Sequence, residues 1–137
     1  MKTVQAAAGY AADEAGNGVA YVRAQLHARA PMMLRVPFKV RRQPALLGRE
    51  IGYAALNAVA QSLRRRGFER VALTIEDARL IDELQKRESV PSALTLPYVR
   101  LGCALNQFRE YGLAPLGAAD ADLPVRARSE IDAHIAA

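Results

Sequence analysis

Three segments with the residue pattern of β-strands come first in the chain, at residues 3–10, 19–26 and 32–40. The second alternates larger side chains with alanine and valine, as a half-buried strand does. Gly16-Asn17-Gly18 precedes it, and because Asn and Gly tolerate positive φ, this segment predicts a tight turn. Pro37 lacks the N–H that a central strand needs, so the third segment is expected at a sheet edge. Together the three predict an antiparallel meander.

The hydrophobic positions then change to a helical period. Apolar side chains recur on one face between residues 44 and 66, at Leu47, Ile51, Ala55, Val59 and Leu63. This spacing predicts a long amphipathic helix, with Gly67 as the residue that follows its C-terminus. Residues 68–75 are apolar with little interruption, which predicts a central strand covered on both sides. Asp77 can then cap a second helix over residues 78–87.

The C-terminal part of the chain predicts helices around one more strand. Two prolines interrupt the connection over residues 89–97, and an apolar periodicity then predicts a helix over residues 98–111. Residues 123–127 are predicted as the last strand and residues 129–137 as a terminal helix. The predicted order is three strands, a helix, a strand, two helices, a strand and a helix.

A length of 137 residues, about half of them apolar, predicts one globular domain spanning residues 1–137. No apolar segment approaches the roughly 20 residues that cross a bilayer, and Met1-Lys2 leads into strand-like residues rather than a signal peptide. We therefore expect a cytoplasmic protein that does not enter a membrane. One cysteine, Cys103, and two histidines, His27 and His134, exclude an internal disulfide and a structural zinc site. A phosphate-binding glycine loop is absent from the sequence.

The formal net charge is +5, and the excess of Lys and Arg lies in two places. One is the segment 35–49, before the predicted long helix, and the other is Arg64-Arg65-Arg66 at its end. Clustered cations bind phosphate backbones because each contact releases condensed counterions. The arginine triplet also has a simple structural interpretation, because cations at a helix C-terminus interact favourably with the helix dipole.

Four motifs, in the order of the elements, resemble those of the ribonuclease H family along nearly the whole sequence. They are Gly16-Asn17, Ile51-Gly52-Tyr53-Ala54-Ala55-Leu56, Glu76-Asp77-Ala78-Arg79-Leu80-Ile81 and the segment 125–135. The resemblance implies an α/β fold in which a mixed five-stranded sheet, an antiparallel meander of three strands plus parallel strands, is flanked by helices. It also implies four carboxylates that bind two divalent metal ions, which stabilise the attacking and leaving oxygens of a phosphodiester.

The first two carboxylate positions of the family fall on other residue types in this chain. The first falls on Ala8, or on Ala11 if counted back from the turn. Asp13-Glu14 lies nearby, but in the turn rather than on the strand. The second falls on Gly52 in the better-matching register, and a register two residues earlier would supply Glu50.

The third and fourth positions keep their acids, Asp77 and Asp132. Asp77 is more simply explained as a helix N-cap than as a metal ligand. The resemblance thus implies a remnant catalytic set of Glu50, Asp77 and Asp132, with Asp77 and Asp132 as weak metal ligands at most. Two carboxylates carry too little charge to order a pair of Mg²⁺ ions, so efficient hydrolysis is not expected. We expect no cofactor unless the site is functional, in which case it is Mg²⁺.

Three functions remain open. The preferred one is a ribonuclease H-like domain with a degraded metal site that binds RNA or an RNA–DNA hybrid through a basic face. The fold would place the contact residues beside the start of the long helix, at Lys39, Arg41, Arg42, Gln43 and Arg49. The second is an active, Mg²⁺-dependent endoribonuclease that cleaves RNA–DNA hybrids. The third is an assembly module, in which a protein partner or a second copy packs on Ala54-Ala55-Ala58 and Ala104.

Overall fold

The structure, a computed structural model, describes residues 3–136, with only the backbone of Ala136; Met1, Lys2 and Ala137 lie outside it. Its strands are β1 (Thr3–Ala12), β2 (Asn17–Gln25), β3 (Met32–Lys39), β4 (Arg70–Ile75) and β5 (Glu110–Pro115). Its α-helices are α1 (Arg49–Arg65), α2 (Ala78–Leu84), α3 (Thr95–Leu105) and α4 (Asp122–Ala136). None of the helices in the described part of the chain has the length and hydropathy of a membrane span.

The strands form one sheet in the order β3-β2-β1-β4-β5. β2 is antiparallel to both β1 and β3, whereas β4 is parallel to both β1 and β5. This confirms the mixed sheet and the meander expected from the sequence. Pro37 lies in the edge strand β3, where its missing N–H breaks no ladder. β4 lies inside the sheet, as its apolar run predicts. The expectation that it is covered on both sides is wrong, because Leu73 and Ile75 are buried on one face but Ala72 is exposed on the other.

Helix α1 begins at Arg49 rather than at residue 44. Pro44–Leu46 forms a short 3₁₀ turn, and the next two residues, Leu47 and Gly48, have positive φ angles of 54° and 87°. These left-handed conformations redirect the chain before the helix starts. Leu47, predicted on the buried face, is consequently 92% exposed.

The predicted last strand at residues 123–127 is wrong, because these residues lie in α4. The fifth strand is β5, which the sequence pattern assigned partly to the preceding helix. β5 buries only Leu113, so it has no alternating pattern. Leu123 and Ala127 are both buried and lie four residues apart, which is the spacing of a helix face.

The two faces of the sheet bury different clusters. Ala6 and Ala8 of β1 pack with α1, α2 and α3, whereas Ala7 and Ala11 pack with α4. Helix α4 passes very close to β1 at Gly9, where an added Cβ would lie 2.2 Å from the backbone nitrogen of Pro124. A side chain at this position would therefore force the helix away from the strand.

The alanine residues proposed as an outward seam are used partly inside the chain. Ala55 and Ala104 are buried in the core, where α1 packs against α3. Ala54 and Ala58 are half-buried and line a cleft between these helices. The expectation that all four alanines face a partner is wrong for Ala55 and Ala104, whose small side chains allow the two helices of this chain to pack closely.

Candidate functional site

A small cleft lies at the end of the sheet where the pairing of β1 with β4 stops. Ala8 is the last residue of β1 that pairs with β4, opposite Ile75, so the residues that follow each strand lie side by side. The cleft has a volume of about 260 Å³, and its lining residues are Gly9, Tyr10, Glu76, Asp77 and Pro124. This is the end of the sheet at which the resemblance places the metal ligands.

Tyr10 and Gly52 face each other across this end of the core. An added Cβ at Gly52 would lie 2.8 Å from the phenol oxygen of Tyr10 and 3.3 Å from Oδ2 of Asp77. The phenol thus occupies space that a side chain at position 52 would need. Burial raises the pKa of Tyr10, and the charges of Asp77 and Glu76 raise it further, so the phenol stays neutral.

Neither register considered for the first carboxylate position identifies Tyr10. Ala8 is buried on the α1 side of the sheet, and Ala11 is buried on the α4 side. Tyr10 packs on the same side as Ala8, two residues further along the strand. The period of two in β1 could have placed its side chain toward α1, but nothing in the sequence indicated that it reaches Gly52.

Asp77 acts as the N-cap of α2. Its Oδ1 accepts a hydrogen bond of 3.0 Å from the backbone N–H of Leu80, as the capping interpretation predicts. Its other oxygen, Oδ2, lies toward Gly52. Asp77 is the only one of the three remnant catalytic residues that lines the cleft at the end of β1 and β4.

Glu50 belongs to a different contact. Its side chain is 2% exposed, and Oε2 accepts hydrogen bonds from the backbone N–H of Gln43 at 2.7 Å and from Nε of Arg42 at 3.2 Å. Burial alone would raise the pKa of Glu50, but these hydrogen bonds and the charge of Arg42 outweigh it and lower the pKa. Glu50 therefore anchors the loop that precedes α1.

Asp132 is exposed on α4 and does not line the cleft that holds Asp77. Its neighbour His134 is also exposed. Among residues 3–136, no group of three or more His, Cys, Asp or Glu side chains is arranged to hold a metal ion. A pair of Mg²⁺ ions requires several oxygen ligands converging at about 2.1 Å, and of the three remnant catalytic residues only Asp77 lies at this cleft.

A buried ion pair links the first residue of α1 to α2. Nη2 of Arg49 lies 2.5 Å from Oε2 of Glu83, whose side chain is fully buried. Oε1 of Glu83 accepts a hydrogen bond of 2.7 Å from the phenol of Tyr53. Burial and the neighbouring Glu83 both raise the pKa of Tyr53. Arg49, expected at a nucleic-acid surface, thus neutralises a carboxylate between α1 and α2.

The remaining basic residues divide into two kinds. Arg42 pairs with Glu50 and also donates a 2.7 Å hydrogen bond to the carbonyl oxygen of Asp13. Asp13 itself closes the β1–β2 turn by accepting from the backbone N–H of Asn17. Lys39 and Arg41, by contrast, are exposed, and neither has an ion-pair partner within the described residues.

No family model matches the sequence, and no curated protein matches it. Solved structures match over almost the whole chain. The ribonuclease H1 of the halophilic archaeon Halobacterium salinarum NRC-1 aligns with a TM-score of 0.74 and 14% identity, covering 96% of this chain and 98% of its own. The N-terminal ribonuclease H domain of a Mycobacterium tuberculosis protein, solved as a fusion with maltose-binding protein, aligns with a TM-score of 0.69 and 16% identity over 100% of both chains.

LC11-RNase H1, solved in complex with an RNA/DNA hybrid, aligns with a TM-score of 0.68 and 9% identity over 96% of this chain and 99% of its own. The chain has a ribonuclease H-like fold. At these identities the likeness concerns the fold, and the hybrid belongs to the LC11 protein. Within this ribonuclease H-like fold, the motif positions Gly52 and Asp77 come together, whereas Glu50 and Asp132 lie elsewhere.

Proposed function

We propose that this ribonuclease H-like chain binds RNA or an RNA–DNA hybrid and does not cleave it efficiently. The observation that carries the proposal is the contact of Tyr10 with Gly52 beside Asp77, where the resemblance would place a cluster of carboxylates. A neutral phenol and a glycine contribute no negative charge, so this arrangement gives Mg²⁺ few ligands. The binding role rests on other residues.

Those residues are Lys39, Arg41 and Gln43, and we name the surface that they form the basic surface. Both cations are exposed and lack ion-pair partners within the described chain, so their charges are available to a ligand. A cation already paired with a buried carboxylate, such as Arg49, would have to give up that pair to bind a phosphate. A fold that holds an RNA/DNA hybrid in LC11-RNase H1 supports the same class of ligand.

Binding can be tested with fluorescently labelled RNA–DNA hybrid, duplex RNA and duplex DNA at two salt concentrations. We expect affinity to fall steeply with salt, because each phosphate contact contributes about −0.9 to the slope of log K against log salt. Lys39→Ala combined with Arg41→Ala should weaken binding about tenfold and reduce that slope by about two. Arg128→Ala is the matched control, because Arg128 is an exposed, unpaired cation on the other side of the sheet. No binding at low salt would instead favour the assembly module.

Cleavage is tested on the same labelled hybrid with and without Mg²⁺. We expect no turnover above the background of the buffer. The decisive comparison is Asp77→Asn, which preserves the oxygen that caps α2 and removes the charge of the side chain. Mg²⁺-dependent turnover that this substitution abolishes would establish the active nuclease and overturn the proposal.

A further inference from the structure

A groove runs along the surface between α1 and α3, beginning at the basic surface. It consists of two adjoining clefts of about 530 Å³ and 590 Å³. Three residues line both clefts, so the clefts are continuous: Asn57, Gln61 and Arg100. At about 1.5 Å per helical residue, the distance from Glu50 to Arg64 along α1 is about 21 Å. A stacked single strand, at roughly 3.4 Å per nucleotide, would place about six nucleotides along it.

The charges along the groove are almost all positive. Its cations are Lys39, Arg41, Arg64 and Arg100, each exposed and without an ion-pair partner within residues 3–136. The single acid in its lining is Glu50, which is buried and paired with Arg42. Low-dielectric walls lined by one sign of charge concentrate a ligand of the opposite sign, so the groove is suited to a polyanion.

The lining of the groove also includes polar groups that can form hydrogen bonds with unpaired bases. Asn57, Gln61 and Gln107 present amide side chains, which both donate and accept hydrogen bonds. Glu50, although it lies at one end of the groove, is 2% exposed and is held by Arg42 and Gln43, so it contributes no group to a ligand. Base edges are free in a single strand and are engaged in a duplex.

Apolar side chains complete the groove on the α3 side. Leu96 and Val99 are 59% and 49% exposed there, and each lines one of the two clefts. Bases have apolar faces that such side chains can cover, while phosphates remain with the cations at the rim. Cations, amide side chains and exposed apolar side chains in one groove can contact the phosphates, the base edges and the base faces of a single strand.

We propose that the α1–α3 groove binds a single-stranded extension of the nucleic acid held at the basic surface. This inference rests on the proposed function, since it takes the same class of ligand, and it adds that a paired segment and an unpaired segment are bound side by side. The expected ligand is therefore a hybrid or duplex with a single-stranded overhang.

The test compares a blunt RNA–DNA hybrid with the same hybrid carrying an overhang of eight nucleotides, by fluorescence anisotropy. We expect the overhang to strengthen binding about tenfold. Arg64→Glu should remove this gain and leave blunt binding unchanged. Arg65→Glu is the matched control, because Arg65 is exposed on the same helix and does not line the groove. An abasic overhang keeps the phosphates and should lose most of the gain.

The outcomes separate this inference from the proposed function. Equal affinity for blunt and overhanging hybrids overturns the groove and leaves hybrid binding intact. No binding of either substrate means that the proposed function has failed, whereas binding of the free single strand alone supports the groove without the basic surface. If abasic and normal overhangs strengthen binding equally, the proposed contacts with the bases are wrong. If polyglutamate of equal charge displaces the overhang, the proposal that the groove holds nucleic acid is wrong.

Discussion

The charged side chains at the two ends of α1 have different surroundings. In the first turn, Arg49 and Glu50 pair inside the protein, with Glu83 and Arg42 respectively. The last turn ends in arginines that are exposed to solvent, and Arg64 lies only over the ring of Phe108, at 5.8 Å. The charges at the start of α1 therefore stabilise the fold through ion pairs, whereas those at its end are accessible to a ligand.

This difference teaches that a basic segment cannot be interpreted by counting cations. Arg41 and Arg42 are neighbours in sequence, yet Arg42 is held by Glu50 and the carbonyl of Asp13, and Arg41 points to solvent without a partner in the described chain. Pairing with a buried carboxylate separates a structural arginine from one that is available for binding. The predictions below test this separation, beginning with the largest effect.

The largest effect is expected for the buried pair between α1 and α2. Glu83→Ala leaves the Arg49 guanidinium, 17% exposed, without its carboxylate, and also removes the acceptor of the Tyr53 phenol. We expect the free energy of unfolding to fall by about 3 kcal/mol, since removing one partner of a buried pair leaves an uncompensated charge. Urea denaturation measures the change.

The control for this prediction is Glu88→Ala. Glu88 pairs with Arg79 at 3.6 Å, but both side chains are about half or more exposed, at 48% and 63%. Exposed pairs contribute roughly 0 to 1 kcal/mol, so little change is expected. Similar losses in the two variants would contradict the distinction between buried and exposed pairs.

The second effect separates the neighbouring arginines of the basic segment. Arg42→Ala removes two contacts to buried or turn groups and should destabilise the protein by about 2 kcal/mol, because Glu50 loses a charged partner. Arg41→Ala should change stability by less than about 0.5 kcal/mol and weaken hybrid binding several-fold. Denaturation and binding are measured on both variants. The separation breaks down if Arg41→Ala is the more destabilising of the two.

The third effect concerns the contact between Tyr10 and Gly52. Gly52→Ala should gain about 1 kcal/mol from helix propensity, but its Cβ would lie 2.8 Å from the Tyr10 oxygen, so we expect no net stabilisation. Removing that oxygen with Tyr10→Phe should let part of the gain appear. A double-mutant cycle measured by urea denaturation should show coupling of about 1 kcal/mol. Additive effects would mean that the two residues do not constrain each other.

Much of the fold could be predicted from the sequence because the strands β1 to β4 and helix α1 carry strong periodicities or turn signals. The strand β5 could not be predicted, because an edge strand that buries only Leu113 shows no alternation of apolar and polar residues. The strand predicted at residues 123–127 was wrong, since Val125 is 64% exposed on a helix. The two buried residues of this segment, Leu123 and Ala127, lie four positions apart, a spacing that fits a strand face as well as a helix face.

The candidate site was less predictable, because its geometry depends on contacts between distant elements. The capping role of Asp77 could be predicted, since an N-cap is a local feature. The pairing of Arg49 with Glu83 and the approach of Tyr10 to Gly52 could not, because each joins residues more than 30 positions apart. The sequence therefore predicted that two carboxylate positions are lost, but it could not predict the contact between Tyr10 and Gly52.

The smallest effect tests the charge pairs on the α4 side of the sheet. Glu130 accepts hydrogen bonds from Arg35, at 2.8 Å and 2.6 Å, and from the phenol of Tyr21. The contact with Arg35, followed by that with Tyr21, lowers the pKa of Glu130 from 4.5 to about 2. A lowered pKa means that the folded state favours the carboxylate more than the unfolded state does, so its contribution to stability is complete above about pH 4.5 and is lost as the pH falls toward 2.

Glu130→Gln should therefore flatten the dependence of the unfolding free energy on pH between 4.5 and 2, and leave the dependence above pH 5 unchanged. Arg35 is 53% exposed, so solvent screening limits the expected contribution to below about 1 kcal/mol. Urea denaturation at a series of pH values measures it in both proteins. A contribution as large as that of Glu83 would show that exposure does not decide the strength of these pairs, and the division of α1 into structural and ligand-facing charges would lose its physical basis.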